Sequence, residues 1–409
     1  MARAKTLFWR SFFRLVVFTA AIAQWTCAAW VLVHFAGIQL PWQAHVAGPL
    51  LLHATNRLLL GTGARPANTA RRRRPWMRAY IGVVFTCLFG FVALLLNGLF
   101  WGTLGSALHL ASGLGLPVSA ADVGGLPGAT GSALLLLVSS ALAWGYGPGQ
   151  RHVRILELEV PMPGLSPRFD GYRIAQLSDI HLGGFLEDED LARHVATTNG
   201  LSADLVCITG DLTDGLDHAP RTFPVLDGLS APDGVVAILG NHDFYTGADE
   251  VTAALRALTS IRVLRNDALV LERDAERLHV LGVDDAGLDW TRGPREHEAL
   301  PPLVERVPRG EPSVLLSHRP DLFPQAAGFG IGLVLSGHTH GGQLALPWPS
   351  ARPRSLAHFV SDFPRGTYRI GGSTLHVNLG LGVTGQPVRL FSPREITLLT
   401  LRCAEPEPS

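Results

Sequence analysis

The sequence predicts an α/β domain built from two packed sheets with helices outside, preceded by a four-helix transmembrane region. Long apolar runs fill residues 1–150, and after them short apolar runs alternate with helical patterns. The charge also changes sign: residues 1–150 hold eleven basic residues and one acidic residue, whereas residues 151–409 hold 23 basic and 33 acidic residues. Parts that differ this much in charge have different surroundings. We therefore predict a transmembrane region at 1–150, a folded domain at 151–404 and a disordered tail at 405–409.

Composition excludes several classes of protein. The acidic C-terminal part argues against nucleic-acid binding, which needs a basic face to neutralise phosphates. Lys5 is the only lysine, so the C-terminal part holds neither a Schiff-base lysine nor a phosphate-loop lysine. The four cysteines form no CxxC zinc motif and no disulfide framework.

Three runs without any charge predict transmembrane helices: 26 residues at 15–40, 43 at 79–121 and 28 at 123–150. A span needs ~20 apolar residues. The stretch 46–63 is weaker because it contains His53, Asn56 and Arg57. The runs are too long for core helices of a soluble domain and too numerous for a signal peptide. We predict helices at approximately 15–37, 46–62, 79–101 and 131–147.

Basic residues predict the orientation of these helices. They cluster before the first span, between the second and third, and after the fourth, whereas the loops near 38–45 and 102–130 hold no Lys or Arg. Four spans place every basic cluster on one side, which the positive-inside rule makes cytoplasmic. We expect a bacterial inner-membrane protein with a cytoplasmic C-terminal domain. The Gly-rich stretch 112–130 is either a flexible outside loop or a re-entrant turn.

Short apolar runs in the C-terminal part predict buried strands, each ending at a polar loop or turn. They are Tyr172–Leu177, Leu205–Thr209, Val235–Leu239, Val314–Ser317 and Leu333–Ser336. Helical patterns at Glu187–Thr198 and Ala248–Leu258 fill some of the gaps. The later stretches Leu269–Asp284, Thr367–Val377 and Ile396–Leu401 look strand-rich.

Metal-binding residues follow all five of these buried strands, where open α/β sheets hold their ligands. In chain order they are Asp179 and His181, then Asp211, then Asn241 with His242 and Asp243, then His318, then His338 and His340. Residues two apart in an extended chain point the same way, so we expect each Asp-x-His or His-x-His pair to face one ion. Each motif alone is common, but five in this order are specific.

Imidazole and carboxylate donors favour manganese, iron or zinc. Seven of these residues, all but His242 and Asp243, are the candidate ligands. Seven ligands are too many for one tetrahedral zinc, and they suit two divalent ions that share a carboxylate. The sequence therefore predicts a two-metal site.

The order Asp-x-His, Gly-Asp, Gly-Asn-His-Asp, His, Gly-His-x-His resembles the calcineurin-like metallophosphoesterase superfamily. The runs Leu-Ser-Asp-Ile-His-Leu-Gly and Gly-His-Thr-His-Gly-Gly-Gln, with a late Gly-Leu-Gly…Pro-Val-Arg stretch, resemble its bacterial membrane-associated branch. The resemblance covers about residues 165–402 and implies the two-sheet α/β/β/α sandwich of that superfamily.

The resemblance also implies ligand roles. One metal would be held by Asp179, His181, Asp211 and His340, and the other by Asp211, Asn241, His318 and His338, with Asp211 as the bridge. His242 would stabilise or protonate the leaving oxygen without ligating a metal.

Four neighbouring residues receive weaker predictions. Asp243 would orient His242 or brace the backbone. Asp214 is predicted to be a turn or helix-cap residue. Arg319 and Arg389 are candidates for phosphate contacts, with surface salt bridges as the favoured alternative.

The expected function is hydrolysis of a phosphoester or pyrophosphate by metal-activated hydroxide, in a membrane-anchored enzyme of phosphodiesterase or pyrophosphatase type. The anchor favours a lipid-linked substrate. Two alternatives stay open: a phosphodiesterase acting on a soluble nucleotide-type substrate, and a non-catalytic metal-binding membrane scaffold.

Overall fold

A computed structural model describes residues 2–60, 75–118, 123–285, 293–347 and 353–404. The predicted disordered tail at 405–409 and the four arginines at 71–74, part of the basic cluster between the second and third predicted spans, lie outside the described residues. The chain separates into two compact units, Met1–Tyr146 and Gly147–Ser409. We call them the helical region and the C-terminal domain, and describe each by itself.

The helical region contains four long described helices: α1 Ala2–His34, α2 Trp42–Leu60, α3 Pro75–Gly113 and α4 Leu126–Tyr146. Among the described residues, three segments are long and apolar enough to cross a membrane: Arg14–His34, Trp76–Gly113 and Leu126–Arg151. Helix α2 is not one of them, so a membrane span at 46–62 stays a prediction.

Helix α3 is much longer than the predicted helix 79–101, since it continues to Gly113. Its 39 residues correspond to about 58 Å at ~1.5 Å per residue, well beyond the ~30 Å hydrocarbon core. Gly102 and Gly105 do not end it, and the hydroxyls of Thr103 and Ser106 donate to carbonyls four residues earlier. Residues 102–113 and 126–130 of the predicted loop 102–130 therefore belong to helices α3 and α4.

The C-terminal domain contains the following described elements in chain order: α5 Pro148–Arg151, β1 Val153–Met162, β2 Arg173–Leu177, α6 Asp188–Gly200, β3 Leu205–Thr209, α7 Ala219–Leu226, β4 Val235–Ile238, α8 Asn241–Thr246, α9 Ala248–Leu258, β5 Arg262–Val263, β6 Asp267–Arg273, β7 Glu276–Gly282, α10 Leu300–Val304, β8 Ser313–Leu316, α11 Phe323–Gly328, β9 Leu333–Ser336, β10 Ala345–Leu346, β11 Arg354–Ser355, α12 Ala357–Val360, β12 Gly366–Ile370, β13 Ser373–Val377 and β14 Arg394–Cys403.

Two six-stranded sheets form the centre of this domain. The first has the strand order β1-β14-β2-β3-β4-β5, and the second has the order β12-β13-β9-β8-β7-β6. Strands β2 to β5 run parallel, as do β7, β8, β9 and β13. Strands β10 and β11 form a separate antiparallel pair.

The buried apolar residues form three layers. One lies between the sheets and includes Ile174, Cys207 and Val314. A second packs the outer face of the first sheet against α6, α7 and α9. A third packs the second sheet against α10 and α11. This α/β/β/α arrangement confirms the predicted fold class.

Candidate metal centre

The candidate metal centre lies where five strands of the two sheets end. Strands β2, β3 and β4 are parallel neighbours in the first sheet, and β8 and β9 are parallel neighbours in the second. Their carboxyl ends therefore bring the following loops together, and backbone hydrogen bonds join them, from Asp179 N to Gly210 O (3.0 Å) and from Gly337 N to His318 O (3.0 Å). The predicted ligands lie on the segments that follow these strands, and Asn241 is the first residue of α8.

The backbone of these loops is not extended. Left-handed φ values occur at five of the seven predicted ligands: Asp179 (49°), His181 (51°), Asp211 (52°), His338 (69°) and His340 (49°). The argument that residues two apart share a face of an extended chain was therefore wrong. Asp and His tolerate this region better than most residues, and such strain concentrates at functional sites.

The first group of ligand atoms comprises Asp179, His181 and His340, which lie within 4.8 Å of one another. The Nε2 atoms of His181 and His340 are 3.1 Å apart, and His340 Nε2 is 3.4 Å from Asp179 Oδ1. All three side chains are buried. Asp179 is held in place because its carboxylate accepts hydrogen bonds from Ser178 Oγ (2.6 Å) and from the backbone N of His338 (3.0 Å).

The second group comprises Asp179, Asp211 and His318. His318 Nε2 is 3.3 Å from Asp211 Oδ2, and His181 Nε2 is 3.6 Å from the same oxygen. Asp211 thus lies between the two groups, as a bridging ligand must. His318 Nδ1 donates to Thr209 O (2.8 Å), which leaves Nε2 directed into the site.

Asn241 Oδ1 is buried without a hydrogen-bond partner among the described residues, and His318 Nε2, 3.3 Å from Asp211 Oδ2, makes no well-aligned hydrogen bond. A buried polar atom without a partner is costly, and metal coordination removes that cost. The donors, their proximity and these two atoms fit divalent metal ions. His338 fits less closely, because its Nε2 lies 3.4 Å from Arg319 Nη1 and it joins neither group.

The electrostatics of the site favour bound cations. Burial alone would lower the pKa of His318, but attraction to Asp211 outweighs burial and raises it to about 10. Burial also acts against the charge on His181, but Asp214 raises the pKa of His181 to about 9. Asp211 stays ionised because His318 and His181 hold its pKa well below the ordinary value despite burial. The negative charge of Asp211 therefore attracts positive charge to this site, and bound metal ions would supply that charge in place of imidazole protons.

His242 lies beside these groups and is more exposed than they are. Its Nδ1 is 2.8 Å from Asp214 Oδ1, and its backbone N donates to Asp211 Oδ1 (2.8 Å). A ligand atom of His242 also lies within 4.8 Å of His181 and Asp211, so its distance from the site is compatible with a contact to substrate or to metal. The part-exposed ring has access to solvent, unlike the fully buried ring of His181.

Asp214 has a larger role than the predicted turn or helix cap. Its Oδ1 accepts hydrogen bonds from His181 Nδ1 (2.9 Å) and from His242 Nδ1 (2.8 Å). One carboxylate oxygen therefore orients both rings. Burial would raise the pKa of Asp214, but the two histidines outweigh it and hold that pKa far below its usual range. The sequence analysis missed this role, which could have been suspected because Asp214 lies only three residues after the candidate ligand Asp211.

Asp243 braces the backbone rather than orienting His242. Its fully buried carboxylate accepts from the backbone N of Leu212 (3.0 Å), Thr213 (3.0 Å) and Gly240 (2.9 Å). These bonds join the loop after β3 to the loop after β4. Burial, with the nearby Asp211 charge, raises the pKa of Asp243 to about 7.

Arg389 is buried, so the expectations of a surface salt bridge and of a phosphate contact were both wrong. Its guanidinium donates to five carbonyl oxygens, at Leu379, Gly380, Gly382, Ser392 and Pro393. The loop it holds packs behind Asp179, where a Cβ on Gly380 (φ +74°) would lie 2.7 Å from Asp179 Cβ. Arg389 thus holds residues 379–382 in place, and we call this segment the wall of the metal centre.

Arg319 is also buried, and its Nε donates to Asp285 Oδ2 (2.8 Å) and Oδ1 (3.1 Å). The surface salt bridge favoured for this residue is therefore a buried one. Its Nη1 lies 3.4 Å from His338 Nε2, which places a positive charge at the edge of the centre.

Comparison with known proteins agrees with this geometry. A family model for calcineurin-like phosphoesterases matches residues 172–342. An uncharacterized metallophosphoesterase, YkuE of Bacillus subtilis, is 34% identical over 238 residues, or 57% of this chain and 80% of that protein. A transmembrane protein with metallophosphoesterase domain from Danio rerio is 33% identical over 279 residues, which cover 66% of this chain but only 62% of the relative.

A solved dimetal phosphatase from Danio rerio aligns with 52% of this chain and 88% of its own, at a TM-score of 0.36 and 12% identity, which is too distant to carry an argument. The family match and the Bacillus relative are sufficient. This chain belongs to the calcineurin-like phosphoesterase family of metallophosphoesterases.

Proposed function

We propose that this chain is a membrane-anchored dinuclear-metal phosphoesterase that hydrolyses a phosphoester or pyrophosphate of a lipid-linked substrate. One observation carries the proposal: Asp179, His181, His340, Asp211 and His318 converge in two groups that overlap at Asp179, while Asp211 Oδ2 lies 3.3 Å from His318 Nε2 and 3.6 Å from His181 Nε2. A dinuclear site needs such a shared carboxylate between its ions.

The proposed ligands of one ion are Asp179, His181, Asp211 and His340, and those of the other are Asp211, Asn241, His318 and His338. Divalent ions bound there, of which manganese, iron and zinc suit the donors, would activate water and offset the charge of the phosphoryl oxygens. The assignment of Asn241 is supported by its buried Oδ1 without a partner. His338 would turn from Arg319 towards the second ion.

His242 is proposed to give a proton to the leaving oxygen. Support comes from its Nδ1, which is held at 2.8 Å by Asp214, so that Nε2 is free to act on the substrate. Asp214 is a positioning residue in this scheme.

The lipid-linked substrate is supported by the three apolar segments and by transmembrane relatives from Danio rerio and Bos taurus. We also propose that the C-terminal domain lies on the cytoplasmic side of a bacterial inner membrane, which is supported by the basic clusters flanking the predicted spans. A reporter that is active only after export, fused behind Ser409, should be inactive. An active reporter contradicts this orientation.

The activity is tested with purified full-length protein and manganese, on bis(p-nitrophenyl) phosphate and on a panel of lipid phosphoesters and pyrophosphates. We expect hydrolysis of at least one lipid, with the Asp211→Asn variant as the inactive control. Cleavage of the soluble diester alone favours a nucleotide-type substrate. Inactivity on every substrate with both metals bound favours the non-catalytic scaffold.

A further inference from the structure

Four large apolar side chains stand exposed beside the metal centre. Phe359 is 83% exposed, Leu356 66%, Leu346 65% and Phe391 54%. They come from β10, from α12 and the residue before it, and from the segment preceding β14. We call these four residues the apolar rim. Exposed apolar clusters on a soluble surface indicate a site of interaction.

The small residues next to the rim are buried instead. Ala345 precedes Leu346 and is almost fully buried, and Ala357 follows Leu356 and is buried too. The strand pair β10–β11 thus turns alanine inward and leucine outward, the reverse of what domain stability alone favours. This pattern is the one expected when the large side chains have a partner outside the domain.

The rim is attached to the metal centre by its backbone. Ala345 N donates to Leu390 O (2.9 Å), and Ser392 Oγ donates to His340 O (2.8 Å). Phe391 lies between those two anchors. Any surface that binds the rim therefore lies close to His340.

The backbone at Phe391 is strained, with a left-handed φ of 53°. A bulky aromatic residue rarely adopts this conformation, and the strain persists because the neighbours fix it. Arg365 Nη1 donates to Phe391 O (3.2 Å), and Leu390 N donates to Gln343 O (2.8 Å). In this conformation the Phe391 ring is exposed to solvent.

The local charge favours an anionic surface. The described residues in 343–347 and 353–361 include no Asp or Glu, Asp362 directly after them pairs with Arg295 (2.8 Å), and the exposed Arg354 lies directly opposite Leu346 across the β10–β11 pair. This local balance opposes the acidic average of the domain. Basic and large apolar side chains together are typical of segments that bind anionic lipid surfaces.

We propose that the apolar rim inserts into the interface of an anionic phospholipid bilayer, with the metal centre beside it facing the lipid surface. The partner is a bilayer because the same chain carries three segments apolar enough to cross one. This inference deepens the proposed function and rests on it for the substrate class, namely phosphoesters at the bilayer surface. Docking itself is tested separately.

Docking is tested on the full chain reconstituted into phosphatidylcholine–phosphatidylglycerol vesicles, in a Cys403→Ser background. A nitroxide is attached at Phe359→Cys and, as a matched control, at Phe329→Cys, which replaces an exposed aromatic after α11. Collision rates with oxygen and with a water-soluble nickel complex report depth. We expect Phe359→Cys to favour oxygen and to be shielded from nickel relative to Phe329→Cys.

Equal nickel accessibility at the two positions overturns the proposal. Dipolar broadening at Phe359→Cys that disappears on dilution with unlabelled protein also overturns it, because the rim would then contact a second copy.

A double variant, Leu356→Ser with Phe359→Ser, links docking to turnover. We expect the ratio of activity on a vesicle lipid to activity on bis(p-nitrophenyl) phosphate to fall about tenfold, equivalent to ~1.4 kcal/mol of lost lipid binding. Metal content reports whether the variant is folded. An unchanged ratio contradicts the link. If the wild type hydrolyses neither substrate, the proposed function fails, while the nitroxide measurement still decides docking.

Discussion

The helical region and the C-terminal domain both bury polar side chains, but they satisfy them differently. In the helical region, Asn56 Nδ2 donates to Gln24 Oε1 (2.8 Å) and the Tyr80 hydroxyl donates to Asn56 Oδ1. These uncharged groups satisfy one another between α1, α2 and α3, although buried His53 Nδ1 and the Tyr146 hydroxyl of the same region have no hydrogen-bond partner among the described residues. In the C-terminal domain, carboxylates and imidazoles gather at strand ends with their ligand atoms within 4.8 Å of one another.

The two regions use buried polar side chains for different purposes. A closed set of uncharged hydrogen bonds positions helices and needs no ligand. A cluster of convergent carboxylates and imidazoles is complete only when ions bind. Four substitutions test this distinction, and we expect their effects to decrease in the order given.

Replacing the shared carboxylate should have the largest effect. Asp211→Asn removes the charge between the two groups, so we expect turnover to fall at least ~1000-fold, about 4 kcal/mol of transition-state stabilisation. Metal content, measured by elemental analysis, should also fall. Near wild-type turnover would show that Asp211 is not the bridge.

Replacing the proposed acid should lower the rate and spare the metals. His242→Ala should reduce kcat by roughly 100- to 10,000-fold, the usual range for a positioned proton donor. Both ions should stay bound, because the ligands remain. Loss of metal from this variant would refute the role assigned to His242 and would make it a ligand.

Replacing Arg389 tests the wall of the centre. Arg389→Leu leaves five buried carbonyls without their shared donor, so we expect the free energy of unfolding to fall by about 3 kcal/mol or more. Thermal unfolding in detergent measures the change, with Arg369→Leu on β12, an exposed arginine of the same domain, as the control. An equal shift in both variants contradicts the wall role.

The smallest effect is expected in the helical region. Asn56→Leu breaks the hydrogen bonds to Gln24 and Tyr80, so we expect a loss of about 1 kcal/mol in stability. Turnover on bis(p-nitrophenyl) phosphate should stay near the wild-type value. A loss of metal in this variant would show that metal binding in the C-terminal domain depends on the hydrogen bonds of the helical region.

The convergence of the candidate ligand side chains could be predicted from the sequence, because each of them closely follows a short apolar run of the kind that forms a strand buried on both faces. The backbone conformation could not be predicted. Asp179 and His181 adopt left-handed φ values, which depend on hydrogen bonds to the loop after β3.

Long-range contacts account for the remaining differences. The burial of Arg319 depends on Asp285, and that of Arg389 depends on carbonyls of a loop that folds behind Asp179. Strand β1 was not predicted, because its alternation of charged and apolar residues is weak evidence until β14 pairs with it. The end of α3 was placed too early because glycines break an apolar helix less readily than the sequence suggested.

The central claim is that seven residues hold two ions that share Asp211. The most direct measurement is the metal content of the purified full-length protein by elemental analysis, beside that of Asp211→Asn. The account predicts about two divalent ions per active chain and fewer in the variant. A fully active chain with one ion or none would contradict it.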